Sequence, residues 1–225
     1  YKPAANTQGF ALRSSPLYRY VKEMNRVSNN HVADKIYDYL GGTSEFMKFL
    51  TDTMKLSQAN LKFVNGSGNS VIVGTTASGT EIKEYNKASC ETIIRVMIEL
   101  QNTLRAQNLD LKDVMAVSRS DESTLRPRYD GMTDSVIAKT GTVDPAISLA
   151  GMVSTAHGDV YFGYLYKTQG PADWNTAKDG IRNRVFDLIR KFGGRRATNY
   201  TPVAFLSFDQ NSYFTPLNSR SMRKP

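Results

Sequence analysis

The stretch from Ser135 to Thr168, SVIAKTGTVDPAISLAGMVSTAHGDVYFGYLYKT, is the most informative part of the 225-residue sequence. Three of its runs, SVIAKTG, SLAGMVSTA and DVYFGYLYKT, are rich in β-branched and aromatic residues and predict three β-strands. Too few residues separate consecutive runs for a crossover helix, so we expect adjacent strands to be antiparallel. The tripeptide His157-Gly158-Asp159 predicts the turn between the second and third strands.

Apolar residues with a 3.6-residue period predict helices on both sides of these strands. The predicted helices span residues 16–27, 31–40, 44–54, 93–108 and 174–192. Thr43 or Ser44 is expected to cap the third helix, since hydroxyl side chains favour that position. The predicted fold class is α/β in the broad sense and α+β more closely, with an antiparallel sheet flanked by helices.

Composition divides the chain into three parts. Residues 1–15 are polar and predict an extended segment that leads into the folded part. Residues 16–194 hold the predicted helices and strands and form the candidate domain. Residues 195–225 have basic ends around a β-prone middle, YTPVAFLSF, and are predicted to be an extension whose role the sequence leaves open.

The charge and the cysteine count exclude several classes of protein. The net charge is +8, and residues 195–225 carry five basic residues and one acidic residue, which is half of that excess. The other basic residues are scattered and do not alternate with aromatic ones, so nucleic-acid binding is not expected. No apolar run approaches the roughly 18 residues of a membrane span. A single cysteine, Cys90, excludes an internal disulfide framework and is expected to be a small buried thiol.

Lys139, Thr140 and Gly141 interrupt the first predicted strand with a charge, a hydroxyl and a residue without Cβ. Gly141 would let an extended ligand lie along this strand unobstructed. An alternative interpretation is that the lysine discourages edge-to-edge aggregation and that the glycine marks a bulge. The tripeptide alone does not decide between these two interpretations.

A second polar cluster, Ser28-Asn29-Asn30, separates the first two predicted helices. Side chains in such a short non-helical link are free to converge on a site, which favours a role for Ser28 and Asn30. Ordinary helix capping by Ser28 or Asn30 is the alternative. Two weak motifs at a meaningful separation are more specific than either one alone.

The combination of S-x-N at Ser28 to Asn30 with K-T-G at Lys139 to Gly141 resembles the signature of penicillin-binding proteins and serine β-lactamases. The order of the surrounding segments is most similar to the D-alanyl-D-alanine carboxypeptidases and endopeptidases typified by penicillin-binding protein 4, the serine peptidases of family S13. The similarity runs from about residue 11 to residue 193 through HVADKIYDYLGG, VNGSGNS, STLRPRYDG, IAKTGTV and SLAGMVSTAHGDVYFGYLY. It implies a β-lactamase/transpeptidase-like fold, incomplete in this chain.

The resemblance implies a role for each motif residue in acyl transfer to a serine. It implies that Ser28 relays a proton to the leaving amine and that Asn30 holds the substrate amide or the lysine. It also implies that Lys139 supplies positive charge, which lowers the proton affinity of nearby groups and attracts the terminal carboxylate of the substrate. Thr140 is expected to donate a hydrogen bond to the substrate carboxylate and Gly141 to leave room for it. The backbone N–H of Thr142 is the expected second oxyanion-hole donor.

The expected nucleophile motif S-x-x-K does not precede Ser28, where the family carries it. Its one match, Ser221 to Lys224, lies near the opposite end, and about one match is expected by chance. Because the sequence starts at Tyr1 without an initiator methionine, we expect the nucleophile on a missing or separate N-terminal segment of the same precursor. A noncatalytic peptidoglycan-binding protein that retains the fold is the alternative.

The implied partners are peptidoglycan peptide stems and, as acylating inhibitors, β-lactam antibiotics, and the implied location is the periplasm or cell envelope. The chemistry implied by the resemblance uses serines and lysines, and we predict no metal and no cofactor. His31 is therefore expected to be part of a first helical turn and His157 to be a solvated turn residue. The balance between carboxypeptidase and endopeptidase activity stays open at this stage.

Overall fold

The computed structural model describes residues 9–11, 14–207 and 215–217. These residues form five α-helices and eight β-strands, interspersed with short 3₁₀ turns and one π-helical turn. In chain order they are β1 (Gly9–Ala11), α1 (Leu17–Val27), α2 (Asn30–Tyr39), α3 (Gly42–Lys48), β2 (Val71–Thr75), β3 (Glu81–Glu84), α4 (Cys90–Arg105), β4 (Ala116–Val117), β5 (Val136–Val143), β6 (Ala146–Thr155), β7 (Gly158–Lys167), α5 (Trp174–Lys191) and β8 (Thr215–Leu217).

The main sheet has four antiparallel strands in the order β4-β5-β6-β7. The three predicted strands are its β5, β6 and β7, and the antiparallel prediction is confirmed. A two-residue turn at Asp144-Pro145 joins β5 to β6, and Ala156-His157 joins β6 to β7. Gly158 opens β7 with φ of 121°, a conformation that glycine adopts without strain. The turn predicted at His157-Gly158-Asp159 therefore lies one residue earlier than expected, because Gly158 and Asp159 already pair with Thr155 and Ser154 of β6.

Helices cover both faces of this sheet, as the binary pattern of the strands requires. Successive residues of β5 point to opposite faces, so Ala138 packs with α5 while Ile137 packs with α4. On the α5 side the buried residues of the helix are Ala177, Ile181, Val185 and Ile189. On the α4 side Met97 and Leu104 pack with Ile137, Val117 and Met152. The core is thus two apolar layers with β5 buried between them.

A smaller apolar cluster lies between α3 and α4, around the buried residues Leu50, Leu56 and Leu61. The predicted third helix is α3 continued by a π-helical turn at Phe49–Thr53. The predicted hydroxyl cap of α3 is wrong, because Gly41 with φ of 98° occupies the N-cap position. The sharp turn from α2 into α3 needs a left-handed residue, which glycine supplies and Thr43 or Ser44 would not.

The expected burial of Cys90 is also wrong. Ser89 caps α4 by accepting a hydrogen bond from the Thr92 N–H at 3.0 Å, so Cys90 is the first helical residue. Cys90 is exposed because the buried face of the helix begins only at Thr92 and Ile93.

Residues 195–207 of the C-terminal extension pack against the domain. Arg196 binds the Asp159 carboxylate at 2.6 Å, and the Thr198 hydroxyl donates to the Asp134 carbonyl at 2.8 Å. Further along, the Phe205 ring meets Tyr20 of α1 edge-on at 5.1 Å. The β-prone middle forms no strand over residues 200–207. Residues 195–207 contact the end of the sheet and one side of α1. Most of residues 1–15 lies outside the described residues.

A buried ion pair fixes α1 to the segment around β4. The Lys22 ammonium binds the Asp121 carboxylate at 2.6 Å and the Lys112 carbonyl at 2.9 Å, and its side chain is 14% exposed. Asp121, 3% exposed, also accepts hydrogen bonds from the Val117 N–H at 2.8 Å and the Tyr200 hydroxyl at 2.9 Å. One carboxylate therefore ties together the first helix, the edge of the sheet and the C-terminal segment.

No helix among the described residues is long and apolar enough to cross a membrane.

We predict that Asp121→Asn lowers the free energy of unfolding by about 3 kcal/mol, because it leaves the buried Lys22 charge without its counter-ion. Denaturant unfolding followed by circular dichroism measures the loss. The matched control is Glu45→Gln, which breaks the ion pair between Glu45 and Lys48. The side chains of these two residues are 54% and 61% exposed. That change is expected to cost under about 1 kcal/mol. Equal losses in the two variants would contradict the structural role of Asp121.

Candidate active site

Ser28 lies at the C-terminal end of α1 in a left-handed conformation, with φ of 59° and ψ of 54°. Its backbone N–H donates to the Met24 carbonyl and so closes the last turn of the helix. The side chain is left free of capping and points to the main sheet, where its hydroxyl accepts a hydrogen bond from the Lys139 ammonium at 2.8 Å. The two motifs found in the sequence therefore meet at a single hydrogen bond.

Asn29 performs the capping that the sequence left open between Ser28 and Asn30. Its side-chain oxygen accepts from the Val32 N–H at 3.1 Å and begins α2. Asn30 is then the first helical residue of α2 rather than part of the link, and it is exposed. The three consecutive polar residues thus divide their work: the middle one caps the helix, and the outer two face the candidate site.

Lys139 points into the protein rather than out from a sheet edge. Besides Ser28, its ammonium binds the Thr140 carbonyl at 2.5 Å. Burial, and secondarily the nearby Arg128 charge, lower the pKa of Lys139 to about 8. An amine with this pKa is present in both forms near neutral pH, so it can take a proton from a hydroxyl and return it. This geometry disfavours the anti-aggregation interpretation, which needs a solvated ammonium.

The edge of β5 is open beyond Lys139, because β4 pairs only with Ile137 and Ala138. The N–H and C=O of Val136 face β4, where they bind Ser118 at 3.1 and 2.8 Å. The β5–β6 register is regular, so the even-numbered residues of β5 all turn their backbone groups to this edge. The Thr142 N–H therefore points away from β6 and is available to a bound group.

Thr140 and Gly141 have different surroundings. The Thr140 hydroxyl is buried and donates to the Thr124 hydroxyl oxygen at 2.8 Å. Gly141 lies opposite Ser148 of β6, and a Cβ at this position would be 2.2 Å from the Ser148 hydroxyl oxygen. Glycine therefore keeps the Lys139 face of the strand clear.

These residues surround a cavity of about 250 Å³ at the open edge of β5. Its lining is Ser28, Asn30, Ser67, Asn69, Thr124, Arg128, Lys139, Thr140, Gly141, Thr142 and Val143. All six candidate site residues are in this set, so the structure brings them together. The cavity has two cationic side chains, and none of the described residues that line it is acidic.

Five lining residues were not predicted from the sequence: Val143 at the end of β5, and four residues in the stretches VNGSGNS and STLRPRYDG. Ser67 is held near the site because its N–H donates to the Asp34 carboxylate of α2 at 2.8 Å. Thr124 is held by its N–H, which donates to the Arg26 carbonyl at 3.3 Å. Both stretches are among those that resemble the family, and this resemblance was the one sequence feature that could have indicated their place in the site. Loop residues have no hydrophobic periodicity, so no pattern marks them as site residues.

His31 and His157 are both exposed, and neither lines the cavity. The described part of the chain has no group of three His, Cys, Asp or Glu side chains placed to hold a metal ion. The S-x-x-K match from Ser221 to Lys224 lies outside the described residues.

Residues 2–186 match the D-Ala-D-Ala carboxypeptidase 3 (S13) family. No curated protein sequence matches this chain significantly. Among solved structures, the Bd0816 predatory endopeptidase of Bdellovibrio bacteriovorus, in complex with immunity protein Bd3460, is 41% identical with a TM-score of 0.85. The match covers 96% of this chain and 53% of that chain.

Two further structures extend the comparison. The Bd3459 predatory endopeptidase of the same organism, acylated by penicillin G and in complex with Bd3460, is 38% identical with a TM-score of 0.86, covering 96% of this chain and 56% of that one. Penicillin binding protein 4 of Haemophilus influenzae is 19% identical with a TM-score of 0.53, covering 76% and 40%, and shows the fold alone. These matches confirm the predicted fold class, and this chain spans about half the length of the two endopeptidases.

We predict that Asn29→Ala and Asn30→Ala separate capping from site function. Loss of the Asn29 cap is expected to lower the free energy of unfolding by about 1 kcal/mol. Asn30→Ala is expected to cause no such loss, since alanine is favoured in a helix and the Asn30 side chain makes no capping bond. Denaturant unfolding of both variants measures the difference, and a comparable loss in Asn30→Ala would show that Asn30 is structural.

We predict that Lys139 titrates with a pKa of about 8. Competitive labelling with an amine-specific reagent across a pH series, read by peptide mass spectrometry, measures it for each lysine. Lys48, whose pKa is raised by its hydrogen bond to Glu45, is the internal reference. Arg128→Gln is expected to raise the pKa of Lys139, because it removes a like charge. A Lys139 midpoint equal to that of exposed lysines would contradict the buried geometry.

The lowered pKa of Lys139 also determines how the free energy of unfolding changes with pH. Between about pH 8 and 10.5 the unfolded chain binds more protons at Lys139 than the folded chain does, so this residue makes stability rise with pH across that window. Lys139→Met is expected to lack this contribution when denaturant midpoints are compared at the two ends of the window.

Proposed function

This chain belongs to the D-Ala-D-Ala carboxypeptidase 3 (S13) family, as its sequence predicted, and from that premise we propose that it carries the proton-relay and substrate-binding part of a serine peptidase site. The proposed substrate is peptidoglycan, cleaved at a D-Ala-D-Ala terminus or at a D-amino-acid cross-link. The observation that carries the proposal is the 2.8 Å hydrogen bond from Lys139 to Ser28 beside the open edge of β5.

The proposed reaction has two acyl-transfer steps. A serine hydroxyl on a segment outside this sequence attacks the D-Ala carbonyl carbon, the C–N bond of the scissile amide breaks, and the acyl group passes to the serine oxygen. Water then attacks the acyl-enzyme, which releases the acid and restores the serine. No S-x-x-K precedes Ser28 in this chain, and this supports a nucleophile elsewhere in the protein.

Ser28 and Lys139 are proposed to move the proton that the leaving amine needs. With a pKa of about 8, Lys139 has a neutral fraction that can accept a proton through the Ser28 hydroxyl and return it to the departing nitrogen. Asn30, exposed at the start of α2, is proposed to hold the substrate amide across the cavity. Thr140 and Gly141 are proposed to line the path of the substrate carboxylate, the first with its hydroxyl and the second by leaving space.

The Thr142 N–H is proposed as an oxyanion-hole donor, since it points to the unpaired edge of β5. A fixed backbone donor needs no reorganisation when negative charge develops on the carbonyl oxygen. Removing one such donor typically costs about 3 kcal/mol of transition-state stabilisation. The open strand edge is therefore proposed to serve the chemistry as well as the binding of an extended peptide.

Endopeptidase activity is proposed to dominate, because two relatives that are 41% and 38% identical to this chain are predatory endopeptidases. Each match covers 96% of this chain. One of these relatives is acylated by penicillin G, which supports β-lactams as acylating inhibitors here. The proposed location is the periplasm or cell envelope, where the substrate lies. The N-terminal segment of the same precursor is the proposed structural partner, and residues 16–194 are proposed as its C-terminal complement.

We predict that the intact gene product forms a saturable one-to-one adduct with a fluorescent penicillin. Ser28→Ala and Lys139→Ala are each expected to slow acylation by roughly 10²- to 10⁴-fold, the usual contribution of proton transfer by positioned groups. Gel fluorescence over time measures the rates, and Ser44→Ala, at an exposed position of α3, is the matched control.

Peptide mass spectrometry of the adduct locates the nucleophile. An adduct on a serine outside residues 1–225 supports the proposal, whereas an adduct on a serine within them overturns the proposed location. Muropeptide binding without an adduct or turnover would instead identify a noncatalytic peptidoglycan-binding protein that keeps the fold.

A further inference from the structure

The candidate active site holds a second cation besides Lys139. Arg128 lines the same cavity and lies close enough to Lys139 to lower the pKa of that amine. The described residues that line the cavity include hydroxyls and amides but no carboxylate. Two like charges are thus held near each other without an acidic side chain from the cavity wall to offset them.

The acidic residues near Arg128 are already engaged by its neighbours. Arg126, two residues earlier, forms an ion pair with Glu122, and Arg119 pairs with Asp130 at 2.9 Å. Among the described residues, Arg128 itself forms no ion pair. The two acidic residues next to these arginines are thus paired with Arg126 and Arg119, and the arginine that faces the cavity is left unpaired.

The backbone at Arg128 is firmly anchored on both sides. Leu125 and Tyr129 are 0% and 1% exposed, and the Tyr129 ring packs edge-on against Phe186 of α5 at 6.1 Å. The Arg128 N–H donates to the Leu125 carbonyl at 3.0 Å and completes the turn. The backbone that carries the Arg128 side chain to the cavity is thus held by buried neighbours.

A partly buried cation without a counter-ion is unfavourable until an anion joins it. Burial also lowers the pKa of Arg128, which is consistent with incomplete solvation of the guanidinium. A guanidinium presents a planar fork of N–H donors that matches both oxygens of one carboxylate, whereas an ammonium acts as a point charge. The two cations together are therefore suited to a single carboxylate, held in a fixed orientation by the arginine.

We infer that Arg128 is a specificity residue that binds, together with Lys139, the carboxylate adjacent to the scissile amide on the leaving side of the substrate. This inference rests on the proposed peptidase function. The cavity of about 250 Å³ lies below the roughly 300–1,000 Å³ of typical small-molecule sites, so it suits one terminal residue rather than a whole peptide stem. Substrates whose leaving residue is amidated at this carboxyl group are poorly bound.

The test compares two substrates on the intact protein: an acylated D-Ala-D-Ala peptide with a free C-terminal carboxylate and the same peptide with a C-terminal amide. The wild type is expected to prefer the carboxylate in kcat/KM. Arg128→Gln is expected to lose roughly ten- to a hundredfold on the carboxylate substrate and little on the amide. Arg128→Lys keeps the positive charge but lacks the fork of N–H donors. Its kcat/KM on the carboxylate substrate is expected to lie between those of the wild type and Arg128→Gln.

Arg126→Gln is the matched control, since Arg126 belongs to the same turn but is paired with Glu122 and does not line the cavity. If Arg128→Gln turns over both substrates and keeps the wild-type preference, the inference is wrong. The same holds if this variant shifts only the pH profile, which would mean that Arg128 acts through Lys139 alone. If Arg128→Gln fails to fold, an unchanged preference in Arg128→Lys overturns the inference instead.

Failure of the proposed function gives a different result. A wild-type protein that neither cleaves these peptides nor forms a penicillin adduct is not a peptidase. Binding of the two peptides, followed by calorimetry, then still tests the carboxylate preference of Arg128 without turnover.

Discussion

The hydrogen bond between the Lys139 ammonium and the Ser28 hydroxyl joins two parts of the chain that are 111 residues apart. It forms only if the end of α1 and the middle of β5 are held in fixed relation. The Lys22–Asp121 pair holds the helix against the edge of the sheet, and the regular pairing with β6 holds the strand. The rest of the fold can be understood as the support of this one contact.

Sequence patterns predicted the regular secondary structure, that is, three strands of the main sheet and the helices. Alternating and β-branched residues identified β5, β6 and β7, and the short links between them required antiparallel pairing. The 3.6-residue period placed the helices that bury apolar stripes. Patterns failed where backbone geometry decides, as at Gly41, where a left-handed residue rather than a hydroxyl begins α3. Cys90 was wrongly expected to be buried because the stripe of α4 begins only after it.

The sequence predicted only part of the candidate site, because loop residues carry no periodic pattern. The six site residues predicted from the S-x-N and K-T-G motifs and the residue that follows K-T-G do line one cavity, but four other lining residues come from loops without periodicity. Arg128 is the clearest case, since three nearby arginines look alike in the sequence. Only the pairing of Arg126 with Glu122 and of Arg119 with Asp130 distinguishes them. Likewise, no propensity scale shows that Asn29, rather than its two neighbours, is the capping residue.

The left-handed conformation of Ser28 places two unrelated demands on one position. The contact with Lys139 needs a hydroxyl, while the backbone needs a residue that tolerates positive φ. Threonine meets the first demand and, being β-branched, is disfavoured by the second, whereas glycine meets the second and has no hydroxyl. The substitutions that look most conservative at this position are therefore poor ones, and a chain that loses Ser28 has no single-residue replacement that satisfies both demands equally well.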